Sequence, residues 1–209
     1  FHEPFTVLGD LDFLSTLPDR ELRSGFAEVV KCGFIADPQI LADFEAAPQE
    51  ALTPSERQAG LIRRAVAVKA RVVSADLRER TSDGADIGRE ALNYGHTLGH
   101  AIERHQHFAG RHGDAVSVGM VYAAELAHRL DLIDADLVAR HRDVLVTAGL
   151  PVSHDPSVWG VLRQAISLDK KARGRSVRFV VLRDLAVPAI LADPPEDVMA
   201  AAYQAIASA

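Results

Sequence analysis

The sequence predicts a mainly α-helical domain carrying one short β-hairpin near its C-terminal end. Two patterns carry that expectation. Apolar residues recur at helical spacing through most of the 209 residues, in stretches bounded by proline, glycine and capping side chains. After an opening Phe5-Thr6-Val7-Leu8, no strand pattern returns until Ser176. A content of 48 % apolar and 25 % charged residues suits a folded chain with a core.

Phe5–Leu8 reads as a short strand. A lone strand leaves its edges unpaired, so its neighbours are expected in a part of the protein outside this chain. Residues 1–14 are accordingly expected to belong with that outside part, and 15–209 to form the helical domain. Ser15-Thr16-Leu17-Pro18 looks like a helix entry, with Asp19 and Glu21 in the first turn and an apolar stripe of Leu22, Phe26, Val29, Val30 and Gly33 running to Ile35. A short helix is expected over Gln39–Ala46. Thr53-Pro54-Ser55-Glu56 has the form of a capping box with proline at the first helical position, opening a helix to about Asp76.

Thr81-Ser82-Asp83-Gly84 marks a loop. Helices should then span Gly88–His105, Asp114–Leu130 (almost wholly apolar, hence central), Asp136–Ala148 and Ser157–Leu168. Ser176–Leu182 and Val187–Leu191 form the expected hairpin, and Glu196–Ala207 the closing helix.

No run of about 18 apolar residues is present, which argues against a membrane span. A formal net charge of -6 argues against a nucleic-acid partner. The first residues have no signal-peptide pattern, and a lone cysteine, Cys32, allows no internal disulfide; a cytoplasmic location is the expectation.

The chemistry concentrates in Arg89–Glu103. At about 100° per residue, Arg89, Asn93, His96, His100 and Glu103 fall within about 40° of one line, opposite a buried stripe of Ala91, Tyr94, Leu98, Ala101 and Ile102. A solvated helix face is usually built from Lys, Glu and Gln; this one holds Arg, Asn and two His. Gly95 and Gly99 leave room for a close neighbour. His112 precedes Gly113-Asp114, where Asp114 reads as an N-cap. Glu28 and Lys31 sit at i and i+3, an ordinary surface pair or a carboxylate ligand beside a cation.

Two histidines and a glutamate suit zinc with one coordination position open, and also cobalt or iron. Lys69 lies beside the apolar series Ile62, Ala65, Val66, Val72 and Val73, where an ammonium either snorkels or meets an anion. Asp169-Lys170-Lys171-Ala172-Arg173-Gly174-Arg175 is a basic loop suited to solvent or to a phosphate.

Leu17-Pro18-Asp19-Arg20-Glu21, Gly25-Phe26-Ala27-Glu28-Val29-Val30-Lys31, Leu92-Asn93-Tyr94-Gly95-His96-Thr97-Leu98-Gly99-His100 and His112-Gly113-Asp114-Ala115-Val116 together resemble the sugar-phosphate cyclases of the 3-dehydroquinate synthase family. The likeness runs from Phe1 to the hairpin. It implies a helical C-terminal domain following an α/β domain that binds NAD, the latter lying outside this chain. It further implies Glu28, His96 and His112 as ligands of zinc, or of cobalt. Lys31 and Lys69 would meet substrate hydroxyl and carboxylate oxygens, Arg89 the carboxylate, and Asn93, His100 and Lys170 the phosphate. Phe13, Leu14, Ser15 and Thr16 match the family's last contact with NAD.

The implied reaction belongs to the shikimate pathway. It converts 3-deoxy-arabino-heptulosonate 7-phosphate, a phosphorylated sugar acid, to 3-dehydroquinate and phosphate in the cytoplasm, in a homodimer of the full-length protein; this span alone is expected to be inactive. The loop from Asp76 to Gly88 is longer than the family's, so Glu79 and Asp86 compete for the acidic position before Arg89. Alternatives are another sugar-phosphate cyclase or a metal-dependent polyol dehydrogenase of the same fold. A metal-dependent phosphohydrolase and a non-enzymatic helical module are more distant readings.

Overall fold

A computed structural model describes residues 5–75, 87–173 and 176–207, with no side chains described over 168–173. The helices are α1 (Asp19–Ile35), α2 (Pro38–Ala46), α3 (Pro48–Ala51), α4 (Glu56–Ala75), α5 (His96–His105), α6 (His112–His128), α7 (Ala135–Thr147), α8 (Trp159–Arg173) and α9 (Glu196–Ile206). Strands β1 (Arg178–Asp184) and β2 (Val187–Ala192) pair as an antiparallel hairpin. The mainly helical architecture matches the sequence expectation.

The core is built around α6. From Ala115 to Ala127 every residue is buried, and the helix packs against α1, α5, α7, α9 and β1. Its sequence makes this possible, because Gly113, Ala115, Gly119, Ala123, Ala124 and Ala127 let neighbouring helices approach closely. The polar residues on it are tied: Ser117 Oγ donates to the Pro151 carbonyl at 2.7 Å, and Glu125 accepts from Arg142 at 2.7 Å. Buried polar groups need such partners.

α1 enters the core with its second half. Of the expected stripe, Phe26, Val29, Val30 and Gly33 are buried, together with Cys32, Phe34 and Ile35, and Leu22 is half-buried. The hairpin docks through Phe179, whose ring lies 5.7 Å from that of Tyr122 on α6, and the Ala186 N–H donates to the Phe34 carbonyl at 2.9 Å.

Several expectations are corrected. Residues 5–8 form no strand: Phe5, Val7 and Leu8 are exposed, and no strand pairs with them among the described residues. Without an adjacent strand the backbone gains no ladder hydrogen bonds. Residues Leu11–Thr16 instead make a 3₁₀ turn capped by the Asp10 carboxylate. The cap of α4 is Ser55, whose Oγ accepts from the Gln58 N–H at 3.0 Å, while Thr53 Oγ1 turns back to the Gln49 carbonyl in the unexpected helix α3.

The expected helix Gly88–His105 is broken. Gly88–Asn93 is a 3₁₀ segment, and Gly95, with φ of +79°, turns the chain before α5 starts. A glycine adopts that left-handed conformation at little cost, which a side chain would not. Asp114 is not the N-cap of α6; His112 is already its first residue. The Thr81–Gly84 loop, Glu79 and Asp86 lie outside the described residues.

Candidate metal centre

Three helices converge where the sequence placed its chemistry. Gly113 N–H donates to Ser24 Oγ of α1 at 3.0 Å, and a Cβ on Gly113 would run into the Ser24 carbonyl. Gly119 likewise lies against the Gly95 carbonyl, and a Cβ at Gly99 would stand 3.2 Å from the Ala115 carbonyl. These contacts draw α1, α5 and the first turn of α6 into one corner. Glu28, His96 and His112 face one another there, with one ligand atom from each lying within 4.8 Å of the other two.

The protons on the imidazoles are set by their partners. His96 Nδ1 is 3.0 Å from the Tyr94 carbonyl oxygen, and His112 Nδ1 is 3.0 Å from Glu103 Oε1. Both partners only accept, so each Nδ1 carries the hydrogen and, in the neutral ring, each Nε2 keeps its lone pair. The two Nε2 atoms lie 3.5 and 3.6 Å from the same oxygen, Glu28 Oε1. That oxygen is buried and has no hydrogen-bond partner.

Three electron-rich atoms thus meet with no hydrogen between them. A buried, unsatisfied carboxylate oxygen is costly, and a cation at this point satisfies all three groups. A tetrahedral ion with ligands at about 2.1 Å would space them about 3.4 Å apart, close to the two nitrogen–oxygen separations.

Charge around the cluster favours this state. Burial pushes the Glu28 carboxyl up, but the Lys31 ammonium, with His96 and His112, more than offsets it and holds the group below the usual carboxylate range. His96 is pushed down to about 4, first by burial and then by Lys31, so it is neutral at physiological pH. Lys31 is only 3 % exposed and donates to Glu28 Oε2 and to the Leu92 carbonyl, each at 2.7 Å. Its ammonium has a third N–H.

The remaining candidates fall at different distances from this centre. His100 is exposed one turn along α5, its ring edge-on to His96 at 5.2 Å and 6.3 Å from that of His112. Arg89 is half-buried on the 3₁₀ segment and Asn93 is exposed there, so the break at Gly95 takes both off the straight line they were expected to share with His96. Lys69 is exposed, and the apolar series beside it is only partly buried: Ala65 lies in the core, Ile62 and Val72 pack against it half-buried, and Val66 is 61 % exposed, while Leu61 and Val68 join the buried face of α4. Lys69 still sits on the side of α4 near α1, since its charge acts on the Cys32 thiol. The Lys170 side chain lies outside the described residues. Phe13, Ser15 and Thr16 are exposed on the 3₁₀ turn. Glu103 stood on the expected line without a role, although its spacing from His100 was a usable signal.

Comparison with known proteins agrees with this geometry. The family described as 3-dehydroquinate synthase C-terminal matches residues 25–172, most of the chain. The chain belongs to that family. A curated 3-dehydroquinate synthase of Thermobifida fusca (strain YX) is 55 % identical over 207 residues, covering 99 % of this chain and 55 % of that protein. One from Cutibacterium acnes (strain DSM 16379 / KPA171202) is 51 % identical, over 97 % of this chain and 58 % of its own length. The chain therefore spans about half the length of these family members. Among solved structures, a 2-deoxy-scyllo-inosose synthase complexed with carbaglucose-6-phosphate, NAD+ and Co2+ superposes with a TM-score of 0.72 at 26 % identity, over 94 % of this chain and 55 % of that one. A 2-epi-5-epi-valiolone synthase from Streptomyces hygroscopicus subsp. jinggangensis 5008, with NAD+ and Zn2+ bound, shares the fold with a TM-score of 0.82 at 24 % identity, over 94 % and 54 % of the two chains.

Proposed function

We propose that this chain is the metal- and substrate-binding part of a 3-dehydroquinate synthase, acting on 3-deoxy-arabino-heptulosonate 7-phosphate. The observation that carries the reading is the orphaned Glu28 Oε1 between the lone pairs of His96 and His112. The identity of 55 % to a curated synthase supports the same activity, and the cobalt and NAD+ of the inosose synthase support the cofactors. Glu28, His96 and His112 would hold Zn2+ or Co2+. The ion would act as a Lewis acid on substrate hydroxyls, easing their deprotonation.

This chain's own residues do the positioning. Lys31, fixed by Glu28 and Leu92, offers its remaining N–H to a substrate oxygen beside the ion. His100 and Asn93, both exposed, would meet the phosphate together with Lys170, while Arg89 and Lys69 would meet the carboxylate. Anchoring both anionic ends holds one molecule in a single orientation through successive steps. Residues 1–14 are the edge of a preceding NAD-binding domain in this reading, with Phe13–Thr16 touching the dinucleotide; the exposed Phe5, Val7, Leu8 and Phe13 support a packed neighbour there. A cytoplasmic homodimer completes it.

The test has two parts. His96→Ala and His112→Ala should each abolish bound zinc in elemental analysis, while His141→Ala keeps it; equal zinc in all three removes the metal centre. In a polypeptide that joins this chain to the span its family members also have, the products should be dehydroquinate and phosphate. NADH alone would indicate a polyol dehydrogenase instead.

A further inference from the structure

The two metal-facing histidines are held by very different means. His96 has a side chain only 12 % exposed, packed at the start of α5, and its Nδ1–H is tied to the backbone carbonyl two residues before it. His112 has a side chain 46 % exposed, on the first residue of α6, where little packing restricts its two side-chain torsions. Its orientation is set instead by Glu103, whose Oε1 accepts from Nδ1 at 3.0 Å.

Glu103 is well placed for that task. Its side chain is 13 % exposed, and it belongs to the last turn of α5, whose C-terminal end is closed by the Phe108 N–H donating to the Glu103 carbonyl at 2.8 Å. The chain then passes through His107 and Phe108, both at positive φ, to reach α6. The carboxylate thus bridges the end of α5 to the start of α6 across that bend.

We propose that Glu103 is a positioning residue of the metal centre, which locks His112 with Nε2 turned to Glu28 and thereby sets how tightly the cation is held. This rests on Glu28, His96 and His112 being the ligands. Glu103 does not itself reach the cation, because its oxygen lies on the Nδ1 side of the imidazole and the ring stands between it and Glu28 Oε1. Its charge polarises the ring and strengthens Nε2 as a donor, and its hydrogen bond removes the rotamer freedom that binding would otherwise have to freeze.

The test is cobalt titration of the chain against a competing chelator, for the parent, Glu103→Ala, Glu103→Gln and His96→Ala. Glu103→Ala should bind cobalt roughly 10- to 100-fold more weakly. Glu103→Gln, which keeps an acceptor but loses the charge, should fall between. At saturation both should show the parent's cobalt d–d bands, because the ligand set is intact, and their metal-free circular dichroism should be unchanged. Parent affinity in both Glu103 variants overturns the proposal. So does a Glu103→Gln protein that binds no cobalt, which would make Glu103 a ligand. Retention of cobalt by His96→Ala sinks the metal centre itself, a separate result.

Discussion

His96 and His141 are both pushed down to about 4 by burial, yet they differ in what their second nitrogen meets. His141 Nδ1–H donates to the Leu137 carbonyl at 2.7 Å, so its Nε2 accepts from the Tyr94 hydroxyl at 2.8 Å, and the ring stacks on Phe34 at 3.7 Å. Every polar atom is satisfied and no space is left for a ligand. Its role is structural, and it has a pH signature. The unfolded chain takes up a proton on His141 near pH 6.5, which the folded chain refuses until about 4. The contribution is fully present above pH 6.5 and is lost as pH falls through that window, by up to about 3 kcal/mol. Urea unfolding of His141→Phe should show lower stability at pH 7.5 and a shallower fall between pH 6.5 and 4 than the parent. Parallel curves would show that His141 is not the group responsible.

At the scale of elements, the site depends on how closely helices approach. Gly113→Ala forces a methyl group into the Ser24 carbonyl and should cost about 1–3 kcal/mol. By moving the start of α6 off α1 it should also weaken cobalt binding; unchanged affinity and midpoint would mean that the two helices separate freely. The candidate residues Glu28, His96 and His112 could be picked out from the sequence, Glu28 and His96 on expected helices and His112 at a helix entrance, because residue type and a 3.6-residue period are properties of the chain itself. The break at Gly95 was not. Ala91, Tyr94, Leu98 and Ala101 keep helical phase straight through it, and a glycine at φ of +79° is spelled like any other. The start of α6 was misplaced because its cap comes from Ser24 on another helix, a contact that no local pattern encodes. Lys69, read as either snorkelling or meeting an anion, is exposed, and which residues of α4 face the core is set by where α1 packs rather than by the run of valines.

For the whole molecule, the centre ties together regions far apart in sequence and should stabilise the fold when filled. At free zinc about 100 times the dissociation constant, the gain is about 2.7 kcal/mol. For a chain of this length that should raise Tm by roughly 5–10 °C in a thermal scan. His96→Ala should show no such rise, and an equal rise in both would place zinc elsewhere. The helical architecture and the hairpin were readable as an ordered set of segments. The fate of residues 5–8 was not, since a strand exists only when another pairs with it.

The spacing of Glu28 from His96 and His112 also bears on how the protein comes into being. During synthesis the carboxylate leaves the ribosome long before either imidazole, and the three groups face one another only once α1, α5 and α6 have packed. If the centre holds the ion proposed above, its capture follows the docking of α6 rather than guiding it. The newly made chain must reach its shape unaided, tolerating one unquenched oxygen in its interior until metal arrives, so scarcity of zinc should yield a folded, vacant protein that a later supply can load, rather than a misfolded one.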